Sequence, residues 1–135
     1  MKKEDALELL KKVLGDFCIH KRCLKEIADL LKRDLIGKEK IFFDSLTTQL
    51  ANIKTFGLLV YTLDSNEQLK GYDGHYISIH LEKKQFNIRL IVYIDNTSEA
   101  FLLHAFYERS GKRHTDYSSC NEIIQARLQE LREDE

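Results

Sequence analysis

The sequence predicts an α+β fold in which N-terminal helices pack on a small antiparallel sheet and a further helix follows the sheet. In residues 1–53, apolar residues recur every three or four positions, as they do along one face of a helix. In residues 75–107, apolar and polar residues alternate, as they do in strands with one buried face. With 135 residues, of which 43% are hydrophobic, the chain can build one core, so we expect a single domain over 1–135.

Three helices are expected in the first half, at about 3–14, 21–34 and 38–53. A glycine lies near the end of each, and glycine tolerates the positive φ that often terminates a helix. These glycines are Gly15, Gly37 and Gly57. The short segment 16–20, between the first two helices, is compatible with a strand and equally with a plain loop.

Three strands are expected in the second half, near 75–82, 87–94 and 101–107. The connectors between them are short and polar, which favours an antiparallel meander. If Lys84-Gln85 forms the first turn, His80 pairs opposite Arg89 on one polar face. Two cationic groups opposite each other repel unless an anion lies on them. This face is therefore a candidate anion-binding surface.

A helix is expected from about residue 119. Ser119 and Glu122 have the spacing of an S-x-x-E capping box, which is typical of a helix N-terminus. The apolar residues that follow have helical spacing and predict a buried stripe. Its members are Cys120, Ile123, Ile124, Leu128 and Leu131.

Charge and hydropathy exclude several classes of protein. The net charge is −1, so binding to nucleic acid has to rest on a local basic patch. No apolar run approaches the roughly 20 residues that span a bilayer, and the charged start lacks the apolar core of a signal peptide. We therefore expect a cytoplasmic protein without a membrane partner. The odd number of cysteines favours free thiols at Cys18, Cys23 and Cys120.

Neither a metal nor a cofactor is expected. Cys18, His20 and Cys23 have the residue types of zinc ligands, but their spacing fits no closed zinc pattern. Cys120 is most simply a small buried hydrophobic residue. The six glycines are scattered and form no phosphate-binding loop, which disfavours nucleotide-driven enzymes.

The remaining polar cluster combines cations, imidazoles and phenols on and just after the meander. Such a set suits a phosphodiester, because its negative charge rises in the transition state and its cleavage needs proton transfers. The members are Tyr76, Ser78, His80, Arg89, Tyr93, Arg109, Lys112, Arg113, His114 and Tyr117.

Two segments resemble the RelE/HigB toxins of bacterial type II toxin-antitoxin systems. The segment LKGYDGHYISIHLEKKQFNIRLIVYID is similar to the strand-turn-strand signature of that family. The segment AFLLHAFYERSGKRHTDYSSCNEIIQARLQEL is similar to its last strand, basic loop and terminal helix. The likeness covers about residues 57–132 and extends weakly to 16–53. It implies a microbial-ribonuclease-like toxin core over 16–135, with an N-terminal helical extension at 1–15.

Proteins of this family cut messenger RNA, commonly in the ribosomal A site, until a cognate antitoxin masks them. The resemblance places Ser78 and His80 on the family's two basic hairpin positions and Arg89 on its hairpin arginine. It places Arg109 on the arginine after the last strand and Tyr117 on a late tyrosine. Ser78 departs from the pattern, because a serine cannot hold a phosphate by charge. A second departure is Glu108-Arg109, which stands where the family frequently has two lysines.

The resemblance and the residue types together predict an endoribonuclease that needs no metal. His80 would be the general base, because an imidazole exchanges protons near neutral pH. Arg89 and Arg109 would hold the phosphate, and Tyr117 would stack on a base or assist the leaving oxygen. His114 is a reserve general acid. The expected RNA-binding residues are Ser78, Tyr93, Lys112, Arg113 and His114.

The expected partners are messenger RNA, at the ribosome, and a cognate antitoxin of the helix-turn-helix type. A different class of function fits the same fold, namely a non-catalytic module such as a gyrase-poisoning ParE-like toxin or a lapsed toxin that only binds its antitoxin. A third alternative is an unrelated α+β regulatory protein with a cationic patch.

Overall fold

The computed structural model describes residues 1–109 and 117–133. These residues form an α+β fold, which confirms the predicted class. The helices are α1 (Lys3–Leu14), α2 (Lys21–Lys32), α3 (Glu39–Phe56) and α4 (Asn121–Glu133). The strands are β1 (Cys18–Ile19), β2 (Glu67–Gln68), β3 (Tyr76–Lys83), β4 (Phe86–Ile94) and β5 (Ala100–Tyr107). Short 3-10 helices lie at Gly57–Thr62 and Ser118–Cys120.

The described strands form a five-stranded mixed sheet in the order β1-β5-β4-β3-β2. Strands β2 to β5 pair antiparallel, and His80 lies opposite Arg89 as predicted. Strand β1 instead pairs parallel with β5, so a purely antiparallel sheet was a wrong prediction for this edge. The segment 16–20, for which strand and loop were equally compatible with the sequence, contains this two-residue strand. The Leu102 carbonyl accepts a hydrogen bond of 2.9 Å from the His20 N–H, which extends the pairing to the start of α2.

Helices cover both faces of the sheet. The residues that pack with α1, α2 and α3 include Ile77, Ile79 and Leu90, all fully buried. On the opposite face, Ile91 and Phe101 pack with α4. The expectation that this second face is polar was wrong for much of its area, because apolar residues of the sheet and of α4 pack together there.

Helix α1 contributes to the main core. Leu10 and Leu14 are buried, at 0% and 3% exposure, among residues of the other N-terminal helices and the sheet. The predicted positive φ is found at Gly37 (80°) and Gly57 (55°). Gly15 ends α1 as predicted, but with a helical φ of −51°.

The C-terminal helix begins two residues later than predicted. Ser119 lies inside the 3-10 turn that precedes Asn121, so the capping-box prediction was wrong. The buried stripe is confirmed at Cys120, Ile124 and Leu128. Ile123 is 38% exposed, since the helix turns this position away from the sheet. Among the residues that the structure describes, none of the helices is long and apolar enough to cross a membrane.

Candidate active site

The short strand β2 brings a carboxylate beside His80. Glu67 pairs opposite Ser78 in the sheet, two residues from His80. The preceding residue, Asn66, is buried and fixes this connection, because its Oδ1 accepts a 2.8 Å hydrogen bond from the His80 N–H. The Asn66 amide also donates to the Val60 carbonyl at 3.2 Å. The side chain of Asn66 therefore ties the start of β2 to β3 through its oxygen and to the 3-10 helix at Gly57–Thr62 through its amide nitrogen.

Four side chains meet at this place, and we call Glu67, Ser78, His80 and Tyr117 the His80 cluster. The Tyr117 hydroxyl donates to the Glu67 carboxylate and lies 2.7 Å from Ser78 Oγ. It also lies 3.5 Å from His80 Nε2. The same nitrogen lies 3.4 Å from Glu67 Oε1. A carboxylate, an imidazole, a phenol and a hydroxyl thus share one hydrogen-bonded site.

His80 is poised as a proton acceptor. Its side chain is 10% exposed, and burial lowers the pKa of His80, helped by the nearby charge of Arg89 and opposed by Glu67. The lowered pKa favours the neutral imidazole. With Nε2 facing the Glu67 carboxylate, the lone pair of the neutral ring lies on Nδ1. That atom is buried and has no hydrogen-bond partner among residues 1–109 and 117–133.

Arg89 lies directly across the strand pair from His80. Only 4% of the residue is exposed, and its guanidinium donates to the Asn87 side chain. Its charge therefore acts on the His80 cluster from within the sheet rather than from the open surface. A buried charge acts more strongly than an exposed one, because water screens it less.

Two clefts flank the His80 cluster. Glu67 and Tyr117 line one of about 660 Å³, together with Tyr72 and Asn121. His80 lines the other, of about 680 Å³, which also contains carboxylates of Asp44, Asp64 and Glu82. The clefts give the two sides of the cluster separate access to a ligand.

The structure does not bring every predicted site residue to this cluster. Tyr93 is buried beside Tyr76 and Phe101, and its hydroxyl donates to Asp73 at 3.3 Å. Arg109 stacks on Tyr107 and forms an ion pair with Asp34, which lies two residues after the end of α2. Lys112, Arg113 and His114 lie outside the described residues.

Glu67 is the member of the cluster that the sequence did not indicate. It stands in a polar stretch without periodic apolar residues, so neither helix nor strand was expected there. Glu67 is identified only from the structure, where it pairs opposite Ser78 in the sheet. Within residues 1–109 and 117–133, no three His, Cys, Asp or Glu side chains are grouped so that they could hold a metal ion.

Comparison with protein-family models, with curated proteins and with solved structures finds no match. The resemblance to the RelE/HigB toxins therefore stays a prediction that rests on the two quoted segments. A neutral imidazole beside a carboxylate, a phenol and a buried arginine is equipped for proton transfer next to a developing negative charge.

Proposed function

We propose that this chain is the toxin component of a toxin-antitoxin system and acts as a metal-independent endoribonuclease on translated messenger RNA. The observation that carries the proposal is the convergence of Ser78, His80 and Tyr117. Ser78 Oγ and His80 Nε2 both lie within 3.5 Å of the Tyr117 hydroxyl, although Tyr117 is far from Ser78 and His80 in sequence. Arg89 lies opposite His80 and supplies a positive charge.

In the proposed reaction the ribose 2′-hydroxyl attacks the adjacent phosphate, and His80 Nδ1, which is buried in the free protein, accepts the proton of that hydroxyl once RNA binding exposes it. Glu67 acts as a positioning residue, because its carboxylate holds Nε2 in the protonated tautomer. The lowered pKa of His80 keeps the imidazole neutral at physiological pH. This is the protonation state that a general base needs.

Arg89 and Tyr117 would act on the phosphate. The guanidinium of Arg89 offsets the charge that develops on the phosphate oxygens, for which a preorganised cation is effective. The Tyr117 hydroxyl, already bonded to Glu67, can pass a proton toward the leaving oxygen. Base stacking by Tyr117, the other role that the sequence suggested, is less compatible with a hydroxyl held by three neighbours. Arg109 has no part in this proposal, since Asp34 holds it.

A non-catalytic binding module is the second candidate function. The observation that favours it is the mutual satisfaction of the His80 cluster, in which Glu67, Ser78 and Tyr117 bond one another. Such a network also serves to fasten the segment before α4 to the sheet. A module of this kind would bind its protein partner through its surface and tolerate replacement of His80.

The deciding experiment is single-turnover cleavage of messenger RNA by the purified chain, with and without ribosomes and in the presence of a chelator. Wild type should cleave, and His80→Gln should lose about 10²-fold or more in rate. His75→Gln is the matched control, since His75 bonds the Ile94 carbonyl and lies outside the cluster. Equal cleavage by wild type and His80→Gln would contradict the proposed mechanism, and loss of cleavage with the chelator would contradict a metal-free reaction.

A second experiment addresses the biological role. Expression of the chain alone in bacteria should arrest growth and translation, and co-expression of a cognate helix-turn-helix antitoxin should relieve the arrest. Unimpaired translation at high expression would support the binding module instead.

A further inference from the structure

The outer edge of β3 is open beyond the short strand β2. Strand β2 pairs with β3 only at Ile77 and Ser78. The His80 N–H points to the same outer edge, where the Asn66 side chain accepts its hydrogen bond. Because backbone groups of every second residue in a strand point to the same side, the N–H and C=O of Glu82 point there too. Among the described residues no strand pairs with β3 at Glu82 on this side, so the edge is free to accept an added strand.

The cleft of about 680 Å³ beside this edge is acidic, and we call it the acidic cleft. Three carboxylates line it, those of Asp44 on α3, Asp64 shortly before β2, and Glu82 on β3. All three residues are exposed. Lys83 is the one cation among the described residues that line the cleft. The excess of negative charge attracts a cationic ligand and repels an anion.

Two buried side chains shape the inner side of the acidic cleft. The Gln49 amide donates a 2.8 Å hydrogen bond to Asp64 Oδ2, and its oxygen accepts one of 3.0 Å from Asn66. Gln49 is 5% exposed, so a fixed donor holds the Asp64 carboxylate in place. The His80 side chain also lines the cleft, and its Nδ1 is a buried acceptor without a partner among the described residues. Carboxylates and an unpaired imidazole nitrogen are acceptors, so they favour a ligand rich in N–H donors.

We propose that the open edge of β3 and the acidic cleft together bind an extended, basic segment of a partner protein. The backbone of that segment pairs with the outer edge of β3 at Glu82, as in β-strand addition. Alternate side chains of an added strand point to one face, and a lysine or arginine among them reaches Asp44 and Asp64. A polypeptide backbone matches the N–H and C=O groups of a strand edge, whereas a small cation does not. The proposal does not depend on the ribonuclease activity.

The test is a titration of the full-length chain with synthetic peptides, followed by NMR and by amide hydrogen exchange. A peptide in which arginine and threonine alternate should bind and slow exchange of the Glu82 amide by about tenfold or more. A peptide of arginine and proline keeps the charge but loses alternate backbone N–H groups, and it should bind about tenfold more weakly. A peptide of glutamate and threonine should not bind.

Three outcomes of the titration would overturn the proposal. Equal binding of the arginine–proline peptide, with unchanged exchange at Glu82, would exclude strand addition. Equal binding of the glutamate–threonine peptide would exclude recognition by the carboxylates. Spermidine that binds as tightly as the arginine–threonine peptide, on the same residues, would assign the cleft to a small cation instead of a protein segment.

Variants test whether the carboxylates of the acidic cleft select the basic segment. Asp44→Asn and Glu82→Gln should each weaken binding of the arginine–threonine peptide by about two- to fivefold, as expected for exposed ion pairs. The matched controls are Asp5→Asn and Glu8→Gln, at exposed positions of α1, and they should leave the affinity unchanged. An unchanged affinity in both cleft variants would contradict the proposal. Equal weakening in the cleft and control variants would show that the peptide responds to net charge and not to the cleft.

Discussion

The Nε2 atom of His80 lies 3.4 Å from a carboxylate oxygen of Glu67, although Glu67 belongs to a strand of only two residues. The pairing of β2 with β3 is what brings the two side chains together. Because Asn66 holds this pairing through the His80 backbone, the base and its positioning carboxylate are set by the same contact. The chemistry and the stability of the site are therefore linked.

Replacement of Glu67 by glutamine should alter the pH profile of cleavage. Glu67 raises the pKa of His80 against the lowering by burial and Arg89, so Glu67→Gln should lower that pKa further. The acidic limb of the rate profile should then move to lower pH, and the maximal rate should fall because the tautomer is no longer held. Glu8→Gln, on the exposed face of α1, serves as the control. An unchanged acidic limb in Glu67→Gln would show that Glu67 does not influence the pKa of His80.

Replacement of Arg89 tests electrostatic stabilisation of the phosphate. Arg89→Ala should reduce the single-turnover rate by about 10²–10³-fold, as expected when one preorganised charge that stabilises the transition state is lost. Arg89 is 4% exposed, so this variant should also lose stability. Arg89→Lys keeps the charge and separates the two effects, because it should recover part of the rate. Equal loss in both variants at matched stability would point to guanidinium geometry rather than charge.

Much of the fold could be predicted because long elements repeat their pattern several times. Helix α1 and the β3–β4 hairpin have nearly the predicted bounds, and the predicted register of His80 with Arg89 is confirmed. A two-residue strand such as β2 has no period to detect. Its position depends on tertiary contacts of Asn66, which no local pattern encodes.

The candidate site was predictable only as far as local sequence patterns reach. Alternation placed Ser78 and His80 on one face of β3, but it could not show that α4 covers this face. It also could not show that Arg109 pairs with Asp34, which lies far away in sequence. The resemblance suggested Tyr117, and the structure brings its hydroxyl to Ser78.

Asn66 should matter for stability beyond its size. Asn66→Ala would leave the Val60 carbonyl and the His80 N–H without their buried partner, at a cost of about 2–3 kcal/mol. Asn96→Ala, in an exposed loop, should cost much less. Urea denaturation of the two variants measures the difference. Equal stability of the two variants would contradict the structural role of Asn66.

Gly57 should tolerate alanine less well than Gly37. Both have positive φ, at 55° and 80°, so alanine is strained at each by about 1–2 kcal/mol. At Gly57 a Cβ would also lie 2.5 Å from Ser98 Oγ, whereas at Gly37 nothing lies within 4 Å. Thermal unfolding should show the larger loss for Gly57→Ala. The double variant Gly57→Ala/Ser98→Ala should recover part of the lost stability. If it recovers none, backbone strain at residue 57 accounts for the whole loss and the contact with Ser98 contributes nothing.

The Glu26–His104 bridge should give the fold a characteristic pH dependence. Burial raises the pKa of Glu26, but hydrogen bonds from His104 and Arg127 outweigh it and lower the pKa to about 2. This contribution is present above the ordinary value of 4.5 and is lost as pH falls through about 2. The pKa of His104 is raised to about 9, so its contribution is complete below 6.5 and is lost as pH rises through about 9. The bridge stabilises most between pH 4.5 and 6.5.

The measurable consequence is a fall in stability on the alkaline side. Between pH 6.5 and about 8, the free energy of unfolding of wild type should drop by about 1–2 kcal/mol, since the unfolded chain releases the His104 proton first. The raised pKa of Cys23 adds a further loss only at higher pH, where an unfolded thiol ionises. In His104→Gln the drop over this interval should disappear, whereas His20→Gln, which leaves the bridge intact, should retain it. Urea denaturation at the two pH values measures this drop in the free energy of unfolding. An equal drop in wild type and His104→Gln would show that a group other than His104 causes it.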